Sequence, residues 1–344
     1  MNYIDIAGRK IGPDYPPLVV AEIGINHEGS MEKAVRMIDD AARQGCECVK
    51  FQCHIIDDEM SVEARSAIPG NASESIWEIM RRCSLTEAEE RELKRHAEEL
   101  GLIYLCTPFS RAAAERLNNF GVVAYKIGSG ECNNYPLLEH IASFGKPVIM
   151  STGMNDLKSI DRAVKIFVRR HVPFALLHCT SIYPTPYALT RLNAITELRR
   201  AFPGVPIGYS DHCIGLYACF GATTLGASIL EKHFTSSRDW PGPDIAISMT
   251  PEELGRLLEG SRALFAARRG GKSILPQEQP TINFACASVV SLRPIRTGET
   301  LTRDNIWVKR PAGGIPAAEF EAMLGRTAAA DIPGGTQLKR KDIV

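Results

Sequence analysis

The sequence has no excess of charge of either sign. Its 40 Lys and Arg stand against 40 Asp and Glu in 344 residues, a formal net charge of +0. Such a chain offers no global field to nucleic acid or to an acidic membrane surface, and neither is expected as a partner. No apolar run approaches the roughly 18–20 residues that span a bilayer. The N-terminus, MNYIDIAGRKIGPDYPP, lacks the basic-then-apolar layout of an export signal, so a cytoplasmic location is expected. The ten cysteines include no CxxC pair, and Cys106, Cys179 and Cys213 fall within or at the ends of apolar runs. That placement argues against a thiolate metal site or a disulfide framework and for small apolar filler in a reducing compartment. A GxGxxG turn is also missing: EIGINHEGS stands after the first strand-like run, which counts against a doubly wound nucleotide-binding sheet.

What is present is a regular alternation of periods. Strand-like runs occupy 18–26, 48–53, 102–109, 124–129, 147–152, 174–180, 206–211 and 228–234. Helical patterns lie between or after them, as at 30–45, 86–101, 111–121, 157–170 and 250–271. Ser30 is placed to cap the first helix and Gly45 to terminate it. Eight strands, each followed by a helix, over about 250 residues predict an α/β fold, the (β/α)8 or TIM barrel. The expected barrel domain covers 1–275 with an N-terminal extension at 1–17, followed by a linker at 276–285. A small β-rich domain is expected over 286–344. The stretch 54–85 is too long for an ordinary connection and reads as an active-site cover, with Trp77 as packing. In the tail, Ile295-x-x-Gly298-x-x-Leu301 ending at Ile306 is echoed by Ile332-x-x-Gly335-x-x-Leu338 ending at Ile343, which predicts internal pseudo-symmetry.

A barrel gathers its function at the C-terminal ends of its strands. Those ends carry Glu22, with Asn26 and His27 just beyond; Lys50 and Gln52; Thr107 and Phe109; and Lys126, Ser129 and Glu131. The later strands add Ser151 and Thr152; His178, Thr180 and Tyr183; Ser210 and His212; and Glu231 and His233. Buried polar groups are unfavourable unless paired or bound to something, so this accumulation at one end needs a cause. His212 and His233 end neighbouring strands and could be satisfied core histidines or could share a divalent ion with open positions. Lys50 and Lys126 could be halves of inward ion pairs with Glu22 or Glu131. Alternatively, with Ser129, Ser151 and Ser210, they could be donors for a phosphorylated anion.

AEIGINHEGS, VKFQ, TPFSRAA, YKIGSGECNNYPLL, LLHCTSIYPTP, GYSDH, EKHFT and PGPDIAISM together closely resemble bacterial N-acetylneuraminate (sialic acid) synthases. The tail VVSLRPIRTGETLTRDNIWVKRPAGG resembles their antifreeze-like (SAF) domain. The resemblance covers nearly the whole chain. It implies condensation of phosphoenolpyruvate with N-acetylmannosamine and water, giving N-acetylneuraminate and phosphate. It further implies His212 and His233 as ligands of Mn²⁺ or Mg²⁺ and Glu22 as the acid/base carboxylate. The phosphoenolpyruvate cradle would be Lys50, Gln52, Thr107, Lys126, Ser129, Ser151 and Ser210. Phe109, Tyr183 and Asp244 would line the sugar side. Arg310 would reach sugar in the other subunit of a domain-swapped homodimer. Ser181 stands where some members have Asn, a departure on the sugar side. A synthase of legionaminic or pseudaminic acid, a Schiff-base aldolase using Lys50 or Lys126, and a non-catalytic ice- or glycan-binding protein are the competing expectations.

Overall fold

The structure, a computed structural model, describes residues 2–70 and 72–344. Two compact units divide the chain, Met1–Arg269 and Gly270–Val344. The first opens with an antiparallel hairpin, β1 (Ile4–Ile6) and β2 (Arg9–Ile11). Eight parallel strands then close a barrel, with β10 pairing back onto β3. They are β3 (Leu18–Gly24), β4 (Cys48–Cys53), β5 (Ile103–Pro108), β6 (Tyr125–Ile127), β7 (Val148–Ser151), β8 (Phe174–Cys179), β9 (Ile207–Asp211) and β10 (Ile229–His233). The barrel is thus the expected fold, each strand trimmed by at most two residues at an end.

The surrounding helices are α1 (Met31–Arg43), α2 (Ile56–Glu59), α3 (Ile76–Cys83), α4 (Glu87–Glu99) and α5 (Arg111–Asn119). They continue as α6 (Tyr135–Ala142), α7 (Leu157–Arg169), α8 (Asn193–Ala201), α9 (Tyr217–Thr224) and α10 (Pro251–Ala267). Their ends follow capping chemistry. The Ser30 side chain accepts the Lys33 backbone N–H, and Gly45 follows α1 at a φ of +78°. Thr86 with Glu89 and Thr250 with Glu253 form capping boxes at α4 and α10. Among the described residues no helix is long and apolar enough to cross a membrane.

Strand alternation sorts the barrel interior into layers. Val20, Cys48, Leu105, Ala124, Ile149, Leu177 and Ile229 form one apolar cluster, which the hairpin residues Ile4, Ile6 and Ile11 join. Two residues further along the same strands stand Glu22, Lys50, Thr107, Lys126, Ser151, Cys179 and Glu231, all buried. A period of two keeps them on the inward face, at the C-terminal mouth. On β9 the lower position is Gly208, where a Cβ would meet Leu177 Cδ2 at 2.5 Å and Ile229 Cβ at 2.8 Å. Ser210 sits above it. Each fully buried Leu or Ile below contributes about 2 kcal/mol, whereas an unpaired buried ion costs several. The polar layer is tolerable only where its charges meet partners.

The segment 54–85 holds α2, a 3-10 turn at Val62–Arg65 and α3; its Asn71 lies outside the described residues, as does Met1 of the N-terminal extension. Ile79 and Cys83 pack with Ile25 in a small apolar cluster. Trp77 lies under the Arg65 guanidinium at 4.6 Å. The ten cysteines are free, and all but Cys286 are buried.

In the second unit, the stretch expected as a linker is a 3-10 turn at Pro276–Glu278 followed by α11 (Gln279–Ala285). Strand β11 (Ser288–Ser291) pairs antiparallel with β12 (Ile306–Lys309), and α12 (Phe320–Met323) follows. The sequence echo is a structural one. Ile295 and Ile332 exchange backbone hydrogen bonds of 2.9 and 2.8 Å. Asn305 accepts the Thr302 N–H at 2.7 Å, and Asp342 accepts the Lys339 N–H at 2.8 Å. Ile295, Leu301 and Ile306 share one core with Ile332 and Leu338, and Ile343 packs against it.

Candidate active site

At the barrel mouth lies a cavity of about 390 Å³, and thirteen of the fourteen residues to which the resemblance gives a role line it. The exception is Arg310. It follows Lys309, the last residue of β12, and is exposed in the second unit.

The cavity floor is a network of paired charges. Lys50 Nζ lies 2.7 Å from Glu22 Oε2 and 3.9 Å from Glu231 Oε2, and donates to Thr107 Oγ1 at 3.2 Å. Lys126 Nζ lies 3.5 Å from Glu231 Oε1 and donates to Ser151 Oγ at 2.8 Å and to the Ile127 carbonyl at 2.9 Å. Ser210 Oγ donates to Glu231 Oε1 at 3.0 Å. Gln52 Nε2 donates to Glu22 Oε1 at 2.9 Å. Gly24 makes room for this last bond: its φ is +55°, and a Cβ there would stand 2.9 Å from Glu22 Oε1. Ser129 Oγ accepts the Gly153 N–H at 3.0 Å, at the foot of the β6 and β7 loops.

Burial and pairing push these groups in different directions. Burial raises the Glu22 carboxyl above its ordinary value, with Lys50 opposing. Lys50 is raised, because Glu22 and Glu231 together outweigh its burial. Lys126 is lowered by burial despite the pull of Glu231. Glu231 is lowered, because the two lysines and Ser210 outweigh its burial. Two carboxylates thus sit in one cavity with opposite tendencies. Glu22 is set to take up a proton and Glu231 to stay charged. The sequence placed Glu231 at a strand end but gave it no role; it is the anion that holds both lysines.

At the rim, His212 Nδ1 donates to the Thr180 carbonyl at 3.0 Å, which fixes the ring and leaves Nε2 as the lone pair. His233 Nδ1 is buried without a hydrogen-bond partner, and Asp244 Oδ2 is 3.7 Å away. The two imidazole centroids are 5.5 Å apart, and Tyr183 lies over His212 at 4.0 Å. Burial pushes Asp244 up to about 6 and drives His233 well below its ordinary value. An orphaned buried imidazole nitrogen beside a second, pre-oriented imidazole is a donor set suited to a divalent ion. Among the described residues no third His, Cys, Asp or Glu completes a cluster with them. A metal held here would therefore keep open positions.

Some strand-end residues fall elsewhere. His178 and Thr180 share a face, but that face is turned from this cavity: His178 Nε2 donates to the Thr190 carbonyl and Thr180 Oγ1 to the Leu189 carbonyl. Asn26 donates to the Phe234 carbonyl and to Ser248, a structural tie. Glu131 does line the cavity, with one oxygen unpartnered, and burial raises it to about 7. His54 was passed over in the sequence because nothing in its spacing marks it. It stacks on Phe109 at 4.6 Å and faces Gln52. The stretch 54–85 supplies Pro69, Ile76, Ile79 and Met80 to the lining, the position expected of a cover.

A model of the NeuB family matches residues 37–273, and a SAF domain model matches residues 287–344. N,N'-diacetyllegionaminic acid synthase of Campylobacter jejuni is 36% identical over 319 residues, 90% of this chain and 95% of that protein. Human N-acetylneuraminate-9-phosphate synthase is 34% identical over 324 residues, 93% and 90% of the two chains. The crystal structure of sialic acid synthetase from Leptospira borgpetersenii serovar Hardjo-bovis, in complex with citrate, superposes with a TM-score of 0.75 at 32% identity. It covers 81% of this chain and 95% of that one.

Proposed function

The chain belongs to the NeuB family, and on that premise we propose that it condenses phosphoenolpyruvate with N-acetylmannosamine and water to give N-acetylneuraminate and phosphate. The observation that carries this reading is the buried pair of lysines, Lys50 and Lys126, tied by Glu231 and ringed by Thr107, Ser129, Ser151 and Ser210. This is a donor set for an anion bearing both carboxylate and phosphate. Gln52 stands beside it, hydrogen-bonded to Glu22.

His212 and His233 would hold Mn²⁺ or Mg²⁺, which when bound supplies a Lewis acid for the acceptor's aldehyde oxygen. Phe109, Tyr183 and Asp244 line the side of the cavity where the open-chain sugar would lie. The lysines and hydroxyls hold phosphoenolpyruvate so that its C3 attacks the aldehyde carbon. C2 becomes oxocarbenium-like and the aldehyde oxygen an alkoxide; Glu22 takes a proton from the water that adds to C2 and passes it to that alkoxide. The tetrahedral intermediate then breaks its C2–O bond to phosphate: C2 keeps the water oxygen as a carbonyl, and phosphate leaves with the bridging oxygen and the second water proton. Arg310 would complete the sugar site of the other protomer in a domain-swapped homodimer.

The similarity to the Campylobacter legionaminic acid synthase supports a second reading, the same chemistry on a diacetamido sugar. Phosphate release by EDTA-stripped protein decides between them, with each sugar tried with and without Mn²⁺. Mn²⁺-dependent release with N-acetylmannosamine and little with 2,4-diacetamido-2,4,6-trideoxymannose is the expected result. The reverse preference changes only the sugar, and no release with either overturns the function.

A further inference from the structure

We propose that His54 is a positioning residue for Glu22, acting through Gln52, and that it ties the start of the cover segment to the acid/base group. This rests on the function proposed above. Glu22 Oε1 accepts from Gln52 Nε2 at 2.9 Å, while Gln52 Oε1 faces His54 Nε2 at 3.1 Å. A carboxylate only accepts, so the amide must present its NH₂ to Glu22 and its carbonyl to His54. His54 Nε2 therefore carries the hydrogen. The other ring nitrogen, Nδ1, is 2.9 Å from Glu59 Oε2 on α2, so both sides of the ring are engaged. The imidazole is 3% exposed and stacked on Phe109 at 4.6 Å and 12°, which leaves it no freedom to turn.

Without that N–H, nothing fixes the sense of the Gln52 amide. A flipped amide would set its carbonyl against Glu22 Oε1, repelling the carboxylate from the place where it meets water. Gly24 shows how tightly the Glu22–Gln52 bond is fitted, since a Cβ there would stand 3.1 Å from Gln52 Nε2. On the outer side, Asp58 of α2 accepts the Ala112 N–H at 2.7 Å, so the short helix that carries Glu59 is itself anchored to α5. The chain Glu59–His54–Gln52–Glu22 runs from the cover to the base. It meets Lys50 only at its inner end, through Glu22, and touches neither Lys126 nor the two rim histidines.

The test is steady-state turnover of the Mn²⁺-loaded enzyme with phosphoenolpyruvate and its acceptor sugar. His54→Phe keeps the ring stacked on Phe109 and removes both ring nitrogens. His54→Asn reaches toward Glu59 but not Gln52, and His54→Gln restores an N–H near the Nε2 position. Phe and Asn should lower kcat by about tenfold or more, the scale on which outer-shell partners act. KM for phosphoenolpyruvate should stay within about threefold, and Gln should recover most of the loss. Phe and Asn variants with wild-type kcat overturn the inference, as does a loss that Gln fails to rescue, because a merely structural side chain would behave so. Should the Phe variant not fold, the Asn and Gln pair decides alone. A wild-type enzyme with no phosphoenolpyruvate- and sugar-dependent turnover overturns the proposed function and this inference with it. Normal turnover in wild type and His54 variants alike removes this inference only.

Discussion

Glu22 and Glu231 are the same residue type in the same layer of the barrel, yet their surroundings separate them. Glu22 has one lysine at 2.7 Å and is raised by burial, whereas Glu231 is shared by two lysines and a serine and is lowered. Glu22→Gln should therefore cut kcat by about a hundredfold or more while KM for phosphoenolpyruvate moves little; an unchanged kcat would reduce Glu22 to a structural partner of Lys50. The metal assignment is equally exposed to test. His212→Ala or His233→Ala should weaken Mn²⁺ binding at least about tenfold, read from the electron paramagnetic resonance signal of free Mn²⁺. Wild-type affinity in both variants would remove the site.

Glu131 makes a prediction about stability. Burial raises it to about 7 from an ordinary 4.5, so between those values the folded protein keeps a proton that the unfolded chain has lost. Its contribution to stability is present in full below the ordinary value, falls as pH rises through that window, and is level above it. Allowing for its partial exposure, the loss is about 1–2 kcal/mol. Glu131→Gln should thus gain about that much over wild type at pH 8 and little at pH 5, measured by urea unfolding. Equal differences at the two pH values would contradict the assignment.

At the scale of elements, the strands were legible because each is a short apolar run bounded by turn residues. Helices α1, α4, α7 and α10 were legible because they carry caps and an apolar stripe. The sequence reading singled out no helix at α6, α8 or α9. In α9 the buried residues are Ala218, Cys219, Ala222 and Thr223, too small to write a stripe. Residues 276–285 read as a linker because the strand–helix alternation stops there; they hold a 3-10 turn and a short helix, with Pro276 and Pro280 in the first turns, where proline needs no N–H partner. The candidate site was legible for a related reason: polar residues recur two positions past apolar ones on inward strand faces and gather at one end of the barrel, where burial requires that they be paired or bound. His54 and the role of Glu231 were not legible, since each depends on partners brought together only by folding. The pseudo-symmetry of the second unit belongs to this scale too. Leu301 and Leu338 are both fully buried at corresponding positions, and Leu→Ala at either should cost about 3 kcal/mol. Melting of the full chain that shows markedly unequal losses would break the equivalence.

The whole molecule joins a barrel whose mouth already balances its own charges to a second unit carrying Arg310. Two lysines face two glutamates on the cavity floor, which is neutral while Glu22 is charged and gains one positive charge when Glu22 takes up a proton, so an anionic substrate is helped by further positive charge near it. The divalent ion at the rim and Arg310 of the partner are the proposed sources. Arg310→Ala should raise KM for the sugar and spare that for phosphoenolpyruvate, with an unchanged sugar KM counting against a site completed in trans. The central claim is that this buried polar layer breaks the C–O bond of phosphoenolpyruvate while adding its three carbons to a sugar. The measurement that reaches it most directly is turnover of phosphoenolpyruvate labelled with ¹⁸O at the bridging oxygen, with N-acetylmannosamine and Mn²⁺, followed by mass spectrometry of the phosphate and the product. The account predicts sugar-dependent release of phosphate carrying the label. Label retained in the organic product, or phosphate released at the same rate without sugar, would contradict it.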